Sequence, residues 1–266
     1  MEDVPPAPIA PTAETRNEWR DFAVFLVKLM LIVALIRSFV FAPFSIPSES
    51  MMPRLLVGDY LIVTKWPYGF SRYSLPFSLP LIPGRILTTL PARGDVVVFK
   101  EPPDNNVDVI KRVIGLPGDT IRMKTGQLFI NGTAVPKVRI ADFTVPVSPN
   151  TRCLIPAADK GSFCQYARYR ETLPNGRSYE VFDFGRFPAD DTGEYRVPAG
   201  HVFLMGDDRD DSADSRLEAG GFGFVPVKNL IGRAQFTVFS TDGSANYLLP
   251  WTWFSAARWH RIGEGF

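Results

Sequence analysis

Two serines lie in a short run between prolines, and their position after the chain's one long apolar segment makes them the first candidates for chemistry. Ser48 and Ser50 stand between Pro47 and Pro53, and Ser50 is six residues beyond Phe44, where we expect the apolar segment to end. At about 3.3–3.6 Å per residue, Ser50 lies within roughly 20 Å of that point. If the apolar segment is a membrane anchor, a nucleophile at Ser50 acts at the bilayer surface.

A serine nucleophile needs a base, and the chain offers few. Its two histidines are His201, inside a strand pattern, and His260, in an aromatic and basic tail, and no serine lies in a G-x-S-x-G elbow. A Ser-Lys pair is the remaining arrangement. Lys111 lies among apolar strand residues, where burial would favour the neutral amine that can accept the proton of Ser50. The alternative is an ordinary strand lysine whose amine reaches solvent.

The apolar segment at residues 22–42 has the length of one transmembrane helix, since about 20 residues cross a bilayer. Lys28 and Arg37 lie near its two ends, where long basic side chains reach the headgroups. A cleavable signal peptide and a helix lying in the interface are the alternatives. We therefore expect a disordered tail at residues 1–21, a single-pass anchor at 22–43 and a domain at 44–266. The basic residues on the two sides of the anchor do not decide its orientation. A disulfide in the domain would support a cytoplasmic tail and an extracytoplasmic catalytic domain.

The composition limits the class of fold and of partner that the domain after the anchor can have. Hydrophobic residues make up 45% of the chain, which is enough for a real core, and the 24 prolines and 21 glycines indicate many turns. With 29 basic and 28 acidic residues the net charge is +1, so we expect no nucleic-acid partner. The residues after the anchor suffice for one large β domain or two small ones.

Short runs rich in β-branched and aromatic residues predict strands and little helix after the anchor. They lie at residues 60–63, 95–99, 107–110, 201–205 and 234–239. Asn131-Gly132 between apolar flanks predicts a hairpin, and residues 136–200 form a long insertion of weaker pattern. The expected fold is mainly β: an antiparallel β-sheet catalytic domain with an inserted smaller β region, preceded by one N-terminal transmembrane helix.

Cys153 and Cys164 are the only cysteines, and they lie close together in the insertion. Outside the cytoplasm we expect them to form a disulfide that closes a small loop. The alternative is two free thiols, since the C-x10-C spacing is not a recognised metal motif.

Four motifs, in order after the anchor, give the chain a resemblance to the bacterial type I signal peptidases. They are IPSESMMP at residues 46–53, RGDVVVFK at 93–100, IKRVIGLPGD at 110–119 and GDDRDDSADSR at 206–216. Any one of them is a weak signal, but four in this order are specific to that family of Ser-Lys endopeptidases. The resemblance covers residues 22–130 and 200–240.

The resemblance implies a role for each matching residue. Ser50 corresponds to the acylating nucleophile and Lys111 to the general base. Ser48 corresponds to the hydroxyl that joins the Ser50 backbone N–H in the oxyanion hole, and Ser212 to the serine that orients the lysine amine. The charged residues that would support the site structurally are Arg112, Asp207, Asp214 and Arg216.

The family's substrate groove also has counterparts among the apolar residues around the two catalytic positions. An extended signal peptide would lie along them, with two shallow pockets taking alternate side chains; simple core packing is the alternative. The groove residues would be Phe44, Ile46, Pro47, Met51, Leu55, Leu61, Val98, Val109 and Ile110.

The chain departs from the family pattern at several places. Glu49 replaces the glycine between the two serines, and Asp208 and Asp211 replace asparagines in the last motif. Extra residues at 218–221 follow Arg216. These last changes put the geometry of that loop in doubt, not the Ser-Lys pair.

The resulting prediction is a membrane-bound serine endopeptidase that removes signal peptides from translocated precursors at the bacterial inner membrane, with no metal or organic cofactor. Precursors and lipid are the expected partners, with the secretion translocon as a further candidate. The stretches at residues 66–90 and 251–261, rich in aromatic residues, are candidates for lipid contact. The alternatives are a dedicated or self-cleaving Ser-Lys peptidase of related fold and a catalytically inactive membrane-anchored binding protein.

Overall fold

A long apolar helix leads directly into the first strand of a β domain. The computed structural model describes residues 18–217, 220–246 and 248–266. Helix α1 (Glu18–Leu35) continues as a π-helical turn (Ile36–Val40) and then enters strand β1 (Phe41–Ser45). The 23 residues Glu18–Val40 are long and apolar enough to cross a membrane, judged by length and composition, with a mean hydropathy of 2.4.

The boundaries of this helix differ from those expected for the anchor. The helix begins four residues earlier, at Glu18, and residues 41–43 are already in β1 because Phe41 to Ser45 pair with the next strand. Residues 18–21, expected in a disordered tail, are helical. Residues 1–17 of that expected tail lie outside the described residues.

The remainder of the described chain is mainly β, with one short helix, α2 (Thr252–Ala256). Single turns of 3-10 helix lie at Trp66–Tyr68, Arg72–Ser74, Pro76–Ser78, Pro156–Ala158, Pro188–Asp190, Val227–Asn229 and Trp259–Arg261. The other strands are β2 (Asp59–Thr64), β3 (Phe70–Ser71), β4 (Arg85–Ile86), β5 (Val96–Lys100), β6 (Asp108–Gly115), β7 (Thr120–Lys124), β8 (Gln127–Ile130), β9 (Thr133–Ala134), β10 (Lys137–Pro146), β11 (Phe163–Thr172), β12 (Ser178–Phe182), β13 (Tyr195–Arg196), β14 (His201–Met205), β15 (Val225–Pro226) and β16 (Leu230–Ser240).

The largest sheet is antiparallel, and one candidate catalytic residue lies on an internal strand while the other lies in the loop after its edge strand β1. It has seven strands in the order β1-β2-β16-β5-β6-β14-β15. Lys111 lies on β6 opposite Val97 of β5, and Ser50 lies in the loop that joins β1 to β2. The sequence-based fold class is confirmed, and so is the hairpin at Asn131-Gly132, where both residues have positive φ between β8 and β9.

The insertion is built of a second, three-stranded sheet in the order β10-β11-β12. A disulfide joins Cys153 to Cys164, with the two Cα atoms 5.4 Å apart. Two hydrogen bonds join the end of β12 to the last motif: Phe182 N donates to Asp207 O at 3.0 Å, and Arg209 N donates to Phe182 O at 3.3 Å. The insertion therefore supports one wall of the candidate site.

A core cluster lies beneath the strands that flank Ser50 and Lys111. Its members come from the Ser50 loop and from β2, β5, β6 and β16: Ile46, Met51, Leu55, Leu61, Val63, Val96, Val98, Ile110, Ile231 and Ala234. Because apolar burial contributes roughly 25 cal/mol per Å², this packing fixes the loop relative to β6.

Candidate active site

The Ser50 loop is fixed by hydrogen bonds within its own backbone, by two buried side chains and by a contact with the last motif. Met52 N donates to Glu49 O at 2.7 Å and Leu55 N donates to Met51 O at 2.9 Å, while Met51 and Leu55 are fully buried. The Ser50 carbonyl accepts a hydrogen bond of 3.2 Å from Asp208 N in the last motif. This contact brings two motifs that are far apart in sequence to the same place.

Gly206 allows that close approach. A Cβ at this position would lie 2.5 Å from the Ser50 carbonyl oxygen and would collide with Ser212 Oγ. Any larger residue would push the Ser50 loop away from the last motif.

Lys111 is buried and faces Ser50. Its side chain is 3% exposed, and Nζ donates a short hydrogen bond to Ser50 Oγ. Burial lowers the pKa of the Lys111 amine from 10.5 to about 8, against the opposing effect of the Asp214 and Asp207 carboxylates. A lysine with this pKa is partly neutral near pH 7 and can accept a proton.

The two other predicted serines are near the site but contribute differently. Ser48 Oγ lies 3.5 Å from Ser50 Oγ, on the same side of the loop. Ser212 Oγ is buried and forms no hydrogen bond with any described residue. The expected hydrogen bond from Ser212 to the Lys111 amine is therefore not formed in this structure, although Ser212 packs on Gly206 beside the Ser50 carbonyl.

The four charged support residues form two buried ion pairs next to the site. Arg112 follows Lys111 on β6 and binds Asp207 through Nε and Nη2, at 2.7 and 2.6 Å. Arg216 binds Asp214 through Nε and Nη2, each at 2.9 Å, and Asp214 also accepts from Gly206 N at 3.0 Å. Such bidentate pairs fix geometry, here the position of the loop that contacts Ser50.

A third buried pair was missed by the sequence reasoning. Arg209 binds Glu171 through two hydrogen bonds of 2.6 and 2.5 Å, and Tyr179 donates to the same carboxylate at 2.7 Å. The Arg112 guanidinium lies 4.4 Å from the centroid of the Tyr179 ring. Arg209 stands inside the quoted last motif, which was a usable signal, but Glu171 and Tyr179 lie in the insertion, where no local pattern marks them.

A cleft of about 170 Å³ runs between β1, the Ser50 loop and β6. Six predicted groove residues line it together with Ser48, Ser50 and Lys111: Phe44, Ile46, Pro47, Val98, Val109 and Ile110. The other three, Met51, Leu55 and Leu61, do not line this cleft and are fully buried in the core beneath it. They shape its floor indirectly, because they support the residues above them.

Two departures from the family pattern lie in the loop after β14. Asp208 is fully buried; its Oδ1 accepts from Asp211 N at 3.1 Å, whereas Oδ2 has no partner among the described residues. Burial raises the pKa of the Asp208 carboxyl to about 7. A protonated carboxyl has the shape and the donor of an asparagine amide, so Asp208 fits a site where the family pattern has Asn.

No group of three His, Cys, Asp or Glu side chains in residues 18–217, 220–246 and 248–266 is arranged to hold a metal ion.

Comparison with known proteins adds an independent observation. The model of a family described as signal peptidase, peptidase S26, matches residues 19–239. Signal peptidase I of Rickettsia canadensis is 38% identical over 266 residues, which cover 93% of this chain and 92% of that protein. Signal peptidase I of Rickettsia typhi is 37% identical over 269 residues, covering 94% and 95%. A crystal structure of a signal peptidase I from Enterococcus faecalis matches at 27% identity over 55% of this chain and 97% of that one, with a TM-score of 0.30, too low to compare the two folds.

Proposed function

The chain belongs to the signal peptidase I family of the S26 peptidases, and we propose that Ser50 is its nucleophile and Lys111 its general base. As a member of this family it is a serine endopeptidase that removes signal peptides from precursor proteins. The observation that carries the assignment is the hydrogen bond between the buried Lys111 amine and Ser50 Oγ.

Catalysis then proceeds through an acyl-enzyme. The neutral Lys111 amine accepts the Ser50 proton as Oγ attacks the scissile carbonyl, and the resulting ammonium returns a proton to the leaving amine. With a pKa of about 8, roughly a tenth of the lysine is neutral at pH 7. A water deprotonated by Lys111 then hydrolyses the ester and restores Ser50.

The tetrahedral oxyanion needs donors that point to where charge develops. The Ser50 backbone N–H and the Ser48 hydroxyl are the proposed pair, supported by the 3.5 Å separation of the two serine oxygens. One such donor contributes about 3 kcal/mol to transition-state stabilisation. The Arg112–Asp207 and Arg216–Asp214 pairs act by holding this geometry.

The cleft favours an extended peptide with small side chains next to the cut. Ile46 and Ile110 line this cleft, whose volume is only about 170 Å³, so the space beside them fits a small side chain. Alternate residues of an extended peptide point to the same face. The first and third residues before the cut are therefore the ones selected, and the residue between them faces outward.

We further propose that α1 spans the bacterial inner membrane and that the β domain lies on its outer side. The Cys153–Cys164 disulfide supports an oxidising compartment. Large exposed side chains at both predicted lipid-contact stretches support docking of the domain on the bilayer, among them Phe77 at 98% and Phe254 at 71% exposure. The cytoplasmic tail at residues 1–21, including its helical part, would lie on the opposite side.

Cleavage of a secretory precursor by the purified chain in detergent tests the assignment. Wild type should cut at one site, and Ser50→Ala should not cut while still binding the precursor. Cleavage by Ser50→Ala at the same site would refute the nucleophile assignment.

A further inference from the structure

A second and larger cleft continues from the upstream end of the catalytic one. It has a volume of about 650 Å³ and lies between the last turns of α1 and the β domain. Phe44 and Asp108 line both clefts, so the two are continuous at that point. Met30, Val33 and Ala34 of α1 form its apolar wall.

The cleft is lined by more cationic side chains than carboxylates. Arg37, Lys65 and Lys100 line it against a single carboxylate, Asp108, which Lys100 already binds at 2.9 Å. Neither Arg37 nor Lys65 forms an ion pair or side-chain hydrogen bond with any other described residue in the chain. The cleft therefore carries two cations whose charge no carboxylate of the described chain balances by direct contact.

Lys65 is the more informative of the two because it is buried. It is 4% exposed, and its Nζ lies 5.6 Å from the centroid of the Phe44 ring. Desolvation lowers the pKa of its amine to about 8, with Arg37 and Lys100 acting in the same direction and Asp108 against them. A buried ammonium without a hydrogen-bonded acceptor is costly to the folded chain, so a ligand that brings acceptors would relieve that cost.

The position of the cleft says which part of a substrate reaches it. On β6, Asp108 lies three positions before Lys111, a separation of about 10 Å at roughly 3.3 Å per residue. A peptide that runs parallel to β6, with its cleaved bond at Ser50 and Lys111, thus reaches Asp108 about three residues upstream of the cut. Its preceding residues enter the cationic cleft and approach α1.

We propose that the cationic cleft binds the carboxyl end of the helical apolar segment of the signal peptide, about four to six residues before the cut. This inference rests on the proposed function. An apolar segment in hydrocarbon must satisfy its own backbone hydrogen bonds and is helical. Its last four carbonyls have no partner within the helix and carry a partial negative charge. Lys65 and Arg37 supply donors to these carbonyls, and the apolar face of α1 packs against the side chains.

The phosphate of an anionic lipid is the competing occupant. The substrate is favoured because the cleft opens into the catalytic groove through Phe44 and Asp108, which a bound peptide must cross and a lipid headgroup need not.

The test compares two substrates of the full-length enzyme in neutral detergent. The long one is a precursor with its entire apolar segment, and the short one is a peptide that begins three residues before the cut. Lys65→Met should lower the ratio of kcat/KM for the long substrate to that for the short one by roughly 3- to 10-fold, mainly through KM, as expected for a charge at a helix end. Lys65→Arg should keep most of the ratio. Lys228→Met, which removes an exposed lysine elsewhere, should leave it unchanged. An unchanged ratio in Lys65→Met would overturn the inference.

Two further arms separate the possible outcomes. A precursor with Lys in place of Gln five residues before the cut should be cleaved more slowly by wild type, and Lys65→Met should reduce that discrimination. If instead Lys65→Met changes kcat/KM for both substrates equally, and only in vesicles that contain phosphatidylglycerol, the occupant is a lipid and the inference is wrong. Failure of the proposed function looks different, because Ser50→Ala would then retain cleavage of both substrates.

Discussion

The pH dependence of cleavage tests the general-base assignment quantitatively. Burial lowers the pKa of Lys111 to about 8, and only the neutral amine can accept the Ser50 proton. The neutral fraction is about 1% at pH 6 and about 50% at pH 8, so kcat/KM for a short peptide should rise roughly 50-fold between these values. The shift from 10.5 corresponds to about 3 kcal/mol in favour of the neutral form.

The assay must use the short peptide and appropriate variants, because other groups titrate nearby. Lys65 also has a pKa lowered to about 8, and the pKa of Asp208 is raised to about 7. The rise of kcat/KM between pH 6 and pH 8 should therefore persist in Lys65→Met and in Asp208→Asn. It should also persist in His201→Ala, since His201 lies at the start of β14 and its Nδ1 is 3.0 Å from Ala199 O. Loss of this pH-dependent rise in kcat/KM in His201→Ala would refute Lys111 as the base.

Three other predictions follow from the same geometry. Lys111→Arg should be inactive, because a guanidinium stays protonated; substantial turnover of the short peptide by this variant would contradict the mechanism. Glu171→Gln should lower the free energy of unfolding by about 3–5 kcal/mol, because it leaves the buried Arg209 without its ion pair; a urea titration that shows a loss below about 1 kcal/mol would contradict the structural role. A precursor with Phe immediately before the cut should react far less well than one with Ala, at a cost of about 1–3 kcal/mol or more, and Ile110→Ala should relax the preference at the third residue before the cut, as specificity constants would measure.

Much of the fold and of the Ser-Lys pair could be predicted from the sequence because the signals are local. The runs at residues 60–63 and 201–205 alternate or cluster apolar residues in the way strands do, and they lie within β2 and β14. The motif at residues 46–53 contains the proposed nucleophile, Ser50, within eight residues. What the structure adds is that this loop and Lys111 lie in hydrogen-bonding contact.

The parts that sequence reasoning missed depend on long-range contacts. The Arg209–Glu171 pair joins residues 38 positions apart, and nothing near Glu171 distinguishes it from the other charged residues of β11. Met51 and Leu61 were expected in the groove because they flank the catalytic residues in sequence, but they are fully buried below it. A pattern of apolar residues predicts burial and does not by itself distinguish a pocket wall from the core beneath it.

The two buried lysines place opposite demands on the same groove. Lys111 must lose its proton to act as a base, whereas Lys65 must keep its proton to bind carbonyl oxygens, and burial lowers the pKa of each to about 8. A short peptide that does not reach Lys65 depends on Lys111 alone. A full precursor depends on both, because its bound helix end would bring acceptors to Lys65 and favour the ammonium form there. Binding of the apolar segment would thus stabilise the protonated state of one lysine while leaving the other free to deprotonate, so the two can perform different functions within one continuous cleft at the same pH.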